Sequence, residues 1–404
     1  MTDFLSFLSS ALPNYLRDLE ALVNTDCGTH NKAGVDQVAR RVRERCREFG
    51  AEVIDYPQPK YGDMLYARWK GPSSFGSAQD GSGRHARILL IGHTDTVYSD
   101  GTASQFPFHR RGARLLGPGV SDMKSGLLAG IYAAHAVVQS GFDQFAEIGM
   151  FCNSEEEIGS PVSRTLYPQF ARGADAALVL EAARESGAIV SARKGVGTYK
   201  LKVRGKSAHA GVEPEKGANA ILALARYTDA LSALNGLRPG LTLNVGVVRG
   251  GTRPNVVADL AEAEIDVRVA RAADAAPLDE AMRAALVGDP AVSRGARAVV
   301  PGTTAELTGG ISNPPMEKTD ASARLVALAQ DAARELGFEI EDVATGGGSD
   351  GNHIAALGTP TIDGLGPIGG KSHNAMEEWL DEKSIVPRVA LLARLIVKIA
   401  EEKR

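Results

Sequence analysis

The sequence predicts an α/β protein: a mostly parallel sheet flanked by helices, with a smaller α+β domain of the ferredoxin-like kind inserted into it. Three observations carry that reading. The chain has 404 residues, more than one hydrophobic core usually organises, which argues for two domains. Its first half alternates helical and strand patterns, as sheets covered on both faces do. From Thr198 the order changes to strands paired across helices, and near Ala321 it returns to helix, strand and helix.

The opening MTDFLSFLSSALPNYL spaces Phe4, Leu5, Leu8 and Leu12 along one face of an amphipathic helix. It carries an acidic residue and no basic leader, so it reads as a helix rather than a signal peptide. Residues 35–49 form a second amphipathic stretch, followed by a short strand, AEVIDY. The glycine-rich GPSSFGSAQDGSGRHA, 71–86, reads as a surface loop. Three apolar runs of the kind buried parallel strands show come next. ARILLIGH ends at His93, FAEIGMFCN ends just ahead of Glu155, Glu156 and Glu157, and DAALVLE ends at Glu181. Between the first two lies the helix MKSGLLAGIYAAHAVVQSG, with Ser121 or Asp122 as its expected N-cap and Gly141 as its stop. Metal-type side chains thus gather at the carboxyl ends of neighbouring strands, where open α/β sheets place their sites.

In the inserted part the expected order is strand (TYKLKVRGK), helix (EPEKGANAILALARYTDALSAL), strands (LTLNVGVVRGG, ADLAEAEIDVRVA), helix (PLDEAMRAALVG) and strand. Its flanks, RKGVG and TGGISNPP, are rich in Gly and Pro and read as hinged linkers. The expected division is 1–197 and 308–404 for the larger domain and 198–307 for the insert.

Composition narrows the function. The net charge is -4 and Lys and Arg are dispersed, so no footprint for nucleic acid appears, and a small substrate is the better expectation. Cys27, Cys46 and Cys152 form no CxxC pair, which fits a reducing cytoplasm. No apolar run reaches the roughly 18 to 20 residues a membrane span needs.

A bridged pair of metal ions needs imidazoles, several carboxylates, and one carboxylate able to span both ions. The chain supplies such a set in order: His93 and Asp95 in IGHTDTV, Asp122 in GPGVSDMKSG, Glu156 and Glu157 in NSEEEIGS, Glu181 in LVLEAA, and His373 in KSHNAMEEW. These segments resemble the two-zinc exopeptidase and deacylase family of glutamate carboxypeptidase, acetylornithine deacetylase and succinyl-diaminopimelate desuccinylase, most nearly its glutamate carboxypeptidase-like branch. The resemblance runs from about residue 20 to the C-terminus.

The resemblance implies a zinc exopeptidase-like catalytic domain with two zinc ions, cobalt or manganese being candidate substitutes. Asp122 would bridge the ions, with His93 and Glu181 completing one and Glu157 and His373 the other. Asp95 would fix the His93 tautomer. Glu156 would act as general base on a metal-bridging water and then as general acid to the leaving nitrogen. The register within the three glutamates follows from Gly159, which matches the family glycine two residues after the ligand. In GKSAHAG, His209 matches the family histidine that stabilises the tetrahedral oxyanion, often across a homodimer formed by the inserted domain. RGGTRPNVVAD nominates Arg253 and Asn255 for the substrate carboxylate, with Arg268 a further candidate. Ser349 and Asp350 in GGGSDGNH would lie beside the site, where backbone amides could meet an anion.

The implied activity is hydrolysis of an amide next to a free carboxylate in a small peptide or N-acyl amino acid. Deacetylation or desuccinylation of a related intermediate is the alternative, and an inactive scaffold of the same fold is a third reading. Glutamate-specific relatives carry an extra arginine where this chain reads LTGGISNPP, so a preference for C-terminal glutamate is not implied. Plainer readings compete at single positions. A lone strand-end histidine is more often a hydrogen-bonded core residue, and an acidic run is often a solvated helix start. His209 could be a turn residue and Arg253 a solvent-facing hairpin residue. His353 is expected to be structural, and His30, His85, His109 and His135 receive no role.

Overall fold

The computed structural model describes residues 3–71, 85–287 and 299–403. Of the stretch expected as a surface loop, 72–84 lie outside the described residues. Among the described residues the α-helices are α1 (Phe4–Val23), α2 (Lys32–Glu48), α3 (Thr102–Gln105), α4 (Ser125–Gln139), α5 (Ser163–Ala171), α6 (Ala220–Ser232), α7 (Ala275–Leu286), α8 (Asp320–Glu335), α9 (Asp350–Ala356) and α10 (Ile385–Glu402). The strands are β1 (Glu52–Tyr56), β2 (Met64–Lys70), β3 (Ala86–His93), β4 (His109–Arg111), β5 (Arg114–Leu116), β6 (Phe145–Asn153), β7 (Ala176–Val179), β8 (Ile189–Arg193), β9 (Gly195–Arg204), β10 (Thr242–Gly250), β11 (Leu260–Val269), β12 (Thr304–Asn313), β13 (Asp342–Thr345), β14 (Thr361–Ile362), β15 (Gly369–Gly370) and β16 (Trp379–Asp381). Contacts divide the chain into two compact units, Met1–Ala192 with Lys318–Thr345 and Ser349–Arg404, and Arg193–Glu317 with Gly346–Gly348.

The first unit is built on a six-stranded sheet in the order β1-β2-β6-β3-β7-β14. The β6–β3, β3–β7 and β7–β14 pairs are parallel, whereas β1–β2 and β2–β6 are antiparallel. Side chains along β3 alternate between the two faces. Ile88 and Leu90 join the core formed with α1, α2, α4, α8 and α10, and Leu89 and Ile91 join Tyr167, Phe170 and Ile354 of α5 and α9 on the other face. Both faces are therefore dry, which is why the strand reads as one apolar run. Each fully buried Leu or Ile there contributes roughly 1.5–3 kcal/mol.

Strand β2 has no counterpart among the sequence expectations. Five of its seven residues are buried, and the sequence MLYARWK lacks the alternation that marks a half-exposed strand. Helix α4 is buried along almost its whole length, and Gly126 lets it approach the sheet: a Cβ there would stand 1.9 Å from the Leu180 carbonyl oxygen. That contact places α4 directly beside Glu181. The helix ends as expected, with Gly141 at φ 75.

The second unit has a four-stranded sheet, order β10-β11-β9-β12, antiparallel throughout. Its core joins the sheet to α6 and α7, including Leu224, Tyr227, Leu278 and Met282. This is the expected ferredoxin-like arrangement of two strand–helix–strand halves. Two expectations need correction. The first helix begins at Ala220 rather than at Glu213, because the Asn219 side chain caps it by accepting from the Leu222 amide, and 214–216 form only a 3-10 turn. The Gly-rich flanks are strand, not linker: Gly309 pairs with Tyr199 and Ile311 with Gly197. Gly309 sits at φ 117 where a Cβ would meet the Thr198 carbonyl oxygen at 2.2 Å, so the glycine serves close strand approach and not a hinge.

No helix among the described residues is long and apolar enough to cross a membrane. All three cysteines are buried free thiols.

Candidate metal centre

Strands β3, β6 and β7 end side by side, and side chains at or just beyond those ends converge on one point. His93 is the last residue of β3, and its ring is buried. Its Nε2 lies 3.1 Å from Asp122 Oδ1 and 3.6 Å from Glu181 Oε1. From the loop after β15, His373 brings its Nε2 to 3.4 Å from Asp122 Oδ2 and 3.4 Å from Glu157 Oε2. The two oxygens of one carboxylate thus face two different imidazoles, each with a second carboxylate beside it. Donor atoms of His93, Asp122 and Glu157 all lie within 4.8 Å of one another.

Asp122 reaches this point because the chain around it is not yet helical. Its backbone stands at φ -118, ψ 93, and α4 starts only at Ser125, with Lys124 at the N-cap and no side-chain cap. The expected capping by Ser121 or Asp122 is therefore corrected. The turn ahead of the helix is held instead by Glu378, which accepts from the amides of Gly119 at 2.8 Å, Ser121 at 2.8 Å and Asp122 at 3.0 Å. That leaves the Asp122 carboxylate to the histidines. Glu378 is absent from the sequence expectations, because nothing local in HNAMEEW marks a carboxylate whose partners lie more than 250 residues earlier.

Asp95 is buried and serves four neighbours at once. The His93 Nδ1 lies 3.1 Å from the Asp95 carbonyl oxygen and 3.3 Å from Oδ1, which favours a proton on Nδ1 and leaves the Nε2 lone pair facing Asp122. The same carboxylate accepts from the Thr29 hydroxyl at 2.6 Å and from the amides of Glu156 at 3.2 Å and Glu157 at 3.3 Å. Glu155 turns the other way, accepting from the Val162 and Ser163 amides at 3.0 and 2.7 Å at the start of α5. Of the three glutamates, one anchors a helix and two remain for the site. Gly159, at φ 84, closes the turn.

The electrostatics describe an uncompensated cluster. Burial, with Asp122 adding to it, pushes Glu157 up to about 7, although its contact with His373 works the other way. Burial also raises Glu156 well above the carboxylate range, reinforced by Asp350, Glu181 and Glu157 and opposed by His93. Glu181 is raised by burial and by Asp122. Against its own burial, Asp122 is held below the usual range by hydrogen bonds to His373 and His93. Asp122 and Glu157 raise His373 to about 10, and His93 is raised despite burial by Asp122, Asp95 and Glu181. Glu157 Oε1 is buried with no hydrogen-bond partner. Close carboxylates of this kind cannot all stay ionised unless cations balance them. Two imidazole nitrogens, three carboxylates and an orphaned carboxylate oxygen are a donor set that fits a pair of divalent ions.

The remaining candidates divide. Ser349 and Asp350 are buried, and the structure assigns their side chains to the fold. The Ser349 hydroxyl donates to Asp363 at 2.6 Å and accepts from the Gly351 amide, while Asp350 accepts from Asn153 Nδ2 at 2.9 Å and from the Ser160 hydroxyl. Ser349 N itself donates to Asn352 Oδ1 at 3.0 Å, so of the two amides expected to meet an anion that one is already engaged. In the second unit, His209, Arg253 and Asn255 are exposed and come together: His209 bridges to Val256, and the Ala210 amide donates to the Asn255 carbonyl at 3.0 Å. Arg268 is already paired, its Nε and a second nitrogen donating to Asp266 at 2.9 and 3.0 Å. His353 lies in α9 with its ring 6.0 Å from Tyr167, and His135 stacks on Phe49 at 3.7 Å. A cleft of about 420 Å³ in the first unit runs past Glu157, walled by residues 28–31 and 96–100 and by Ile158.

Comparison with known proteins finds relatives across most of the chain. The profile of peptidase family M20/M25/M40 matches residues 89–398. The chain is 26% identical to carboxypeptidase G2 of Pseudomonas sp. (strain RS-16) over 396 residues, covering 97% of this chain and 90% of that one. It is 28% identical to succinyl-diaminopimelate desuccinylase of Acidovorax ebreus over 311 residues, 72% of this chain and 75% of that one. Among solved structures, aminopeptidase PepT of Bacillus cereus superposes with a TM-score of 0.76 at 22% identity, covering 97% of this chain and 98% of that one. A dinuclear metal-binding peptidase of the M20 family from Bacillus subtilis gives 0.73 at 18% identity, covering 97% and 99%, and at such identities the likeness speaks for the fold alone. With the profile matched over most of its length, the chain belongs to peptidase family M20/M25/M40 and is a hydrolytic enzyme.

Proposed function

We propose that this enzyme is a dinuclear zinc carboxypeptidase-like hydrolase that cleaves the amide bond next to a free carboxylate in a small peptide or N-acyl amino acid. The observation that carries the reading is Asp122, whose two oxygens lie 3.1 and 3.4 Å from the nitrogens of two different histidines. His93 and Glu181 hold one ion, His373 and Glu157 the other, and Asp122 both. When bound, two divalent ions polarise the scissile carbonyl and make water acidic enough to lose a proton near neutral pH.

The chain's own residues do the rest. Glu156, whose proton affinity is raised by burial, takes the proton from the attacking water and returns it to the leaving nitrogen. Asp95 keeps His93 in the tautomer that turns Nε2 to the site. His209 stabilises the tetrahedral oxyanion, and Arg253 with Asn255 receives the substrate carboxylate. Their exposure, and the pairing of the 209–210 segment with 255–256, support that division. The insert, 198–307, acts as lid and as the interface of a homodimer. Buried free thiols accord with a reducing cytoplasm.

The deacylase reading uses the same metal centre with another acyl group, and the extent of the carboxypeptidase G2 match favours the carboxypeptidase-like one. The test is an assay of zinc-, cobalt- and manganese-loaded protein against acyl-glutamates, dipeptides, acetylornithine and succinyl-diaminopimelate. The proposal expects the highest kcat/KM on a dipeptide or an acyl-glutamate. A clear preference for acetylornithine or succinyl-diaminopimelate would replace it with the deacylase reading, and no turnover of any of these amides would overturn it.

A further inference from the structure

The geometry points to Glu378 as a positioning residue that sets the spacing between the two metal sites by bracing the Asp122 turn from the segment that carries His373. This rests on the dinuclear reading above. Glu378 is completely buried and accepts four hydrogen bonds. Oε1 takes the amides of Ser121 at 2.8 Å and Asp122 at 3.0 Å, and Oε2 takes the Gly119 amide at 2.8 Å and the Tyr98 hydroxyl at 2.6 Å. These donors come from two segments: Tyr98 from the loop that leaves His93 and Asp95, and Gly119 to Asp122 from the turn that presents the central carboxylate.

Glu378 itself ends the turn that begins beside His373. Its own amide donates to the Asn374 carbonyl at 2.8 Å, and the Asn374 amide donates to that of Lys371 at 3.1 Å. One carboxylate therefore ties together three stretches of chain, each of which carries a site residue. The chemistry requires a carboxylate, because each oxygen receives two donors and contributes none. An amide has a single oxygen, and its NH2 would confront two of the four donors.

The consequence differs between the two sites. His93 is fixed by its strand and by Asp95, whatever happens to the turn. His373 stands on an exposed loop at φ 67, and its distance from Asp122 depends on the brace. Loss of Glu378 therefore weakens the His373 site more than the His93 site.

The experiment measures stepwise zinc affinity, by chelator competition on metal-free protein, for wild type, Glu378→Gln and Tyr98→Phe, with thermal melting in parallel. The wild type should take up two ions. Glu378→Gln should weaken the second step about 10- to 100-fold, as loss of a residue that orients a ligand does, while the first changes less than about threefold. Tyr98→Phe, which keeps the carboxylate and removes one donor, should move the second step in the same direction by less. Unchanged steps, or equal weakening of both alongside a lower Tm, would overturn the assignment in favour of a purely structural carboxylate. Should Glu378→Gln fail to fold, Tyr98→Phe decides: a weaker second step supports the brace, and an unchanged one overturns it. A wild type that binds fewer than two ions overturns the dinuclear reading, and the brace with it.

Discussion

His93 and His373 stand on either side of one aspartate and are held in opposite ways. The His93 ring is 1% exposed, ends a central strand, and has its far nitrogen tied to Asp95. The His373 ring is 59% exposed, comes after a two-residue strand, and adopts a left-handed backbone, φ 67, that non-glycine residues seldom occupy. One half of the centre is set by the hydrophobic core, which packs β3 on both faces. The other half is set by a surface loop. On the proposed dinuclear reading, the difference teaches that the sheet sets one metal position and that polar contacts assemble the second.

The largest expected effect does not distinguish the halves but fixes what they serve. Glu156→Gln should lower kcat by about 10²- to 10⁴-fold while zinc content stays at two per chain. Loss of metal together with activity would mean that Glu156 is a ligand instead. The comparison itself is broken or sharpened by His93→Ala against His373→Ala. His373→Ala should weaken one zinc step on the order of 100-fold and lower the melting temperature of the metal-free protein only through its lost contacts with Asp122 and Glu157, because an exposed ring contributes little packing. His93→Ala should weaken the other step and also lower Tm, since it empties space in the core. Equal behaviour in both variants would remove the asymmetry. Asp95→Asn should be milder, about 10- to 100-fold in affinity at the His93 step.

The smallest effect is a slope with pH. In the metal-free protein Glu157 titrates near 7 instead of 4.5, and His373 near 10 instead of 6.5. Both folded values are raised, so both groups favour the folded state at low pH. That contribution is lost as pH rises from 4.5 through about 7 for Glu157, and from 6.5 through about 10 for His373. Metal-free protein should therefore become less stable, as far as these groups decide it, between about pH 5 and about pH 9. Zinc must displace the same protons, so its affinity should rise over that range and the gap in Tm between loaded and metal-free protein should widen. A gap that narrows with rising pH would contradict the assignment of these two groups to the centre.

How much of the fold and the site is legible in the sequence depends on where each signal lives. His93 and Glu181 are legible because they end continuous apolar runs, and a strand buried on both faces announces itself in that way. The same double burial conceals β2, whose MLYARWK mixes Arg68 and Lys70 with apolar residues and gives no period. Asp122 is found through the resemblance, yet by local pattern it reads as a cap, because a local rule cannot know that Glu378, more than 250 residues later, holds the turn that presents its carboxylate. Glycines at 193–197 and 308–315 look like hinges, and only the pairing of β9 with β12 shows that Gly309 is there to let two backbones meet. Ser349 and Asp350 sit in a glycine-rich stretch that reads as an anion loop, yet their side chains complete a buried network with Asn153 and Asp363. In each case the missing information is a long-range contact.

The most direct measurement is anomalous diffraction at the zinc edge from crystals of the zinc-loaded protein. Two peaks about 3.5–4 Å apart, one beside His93 and Glu181 and one beside His373 and Glu157 with Asp122 between them, are the predicted result. A single peak, or two peaks that do not share Asp122, would contradict the account.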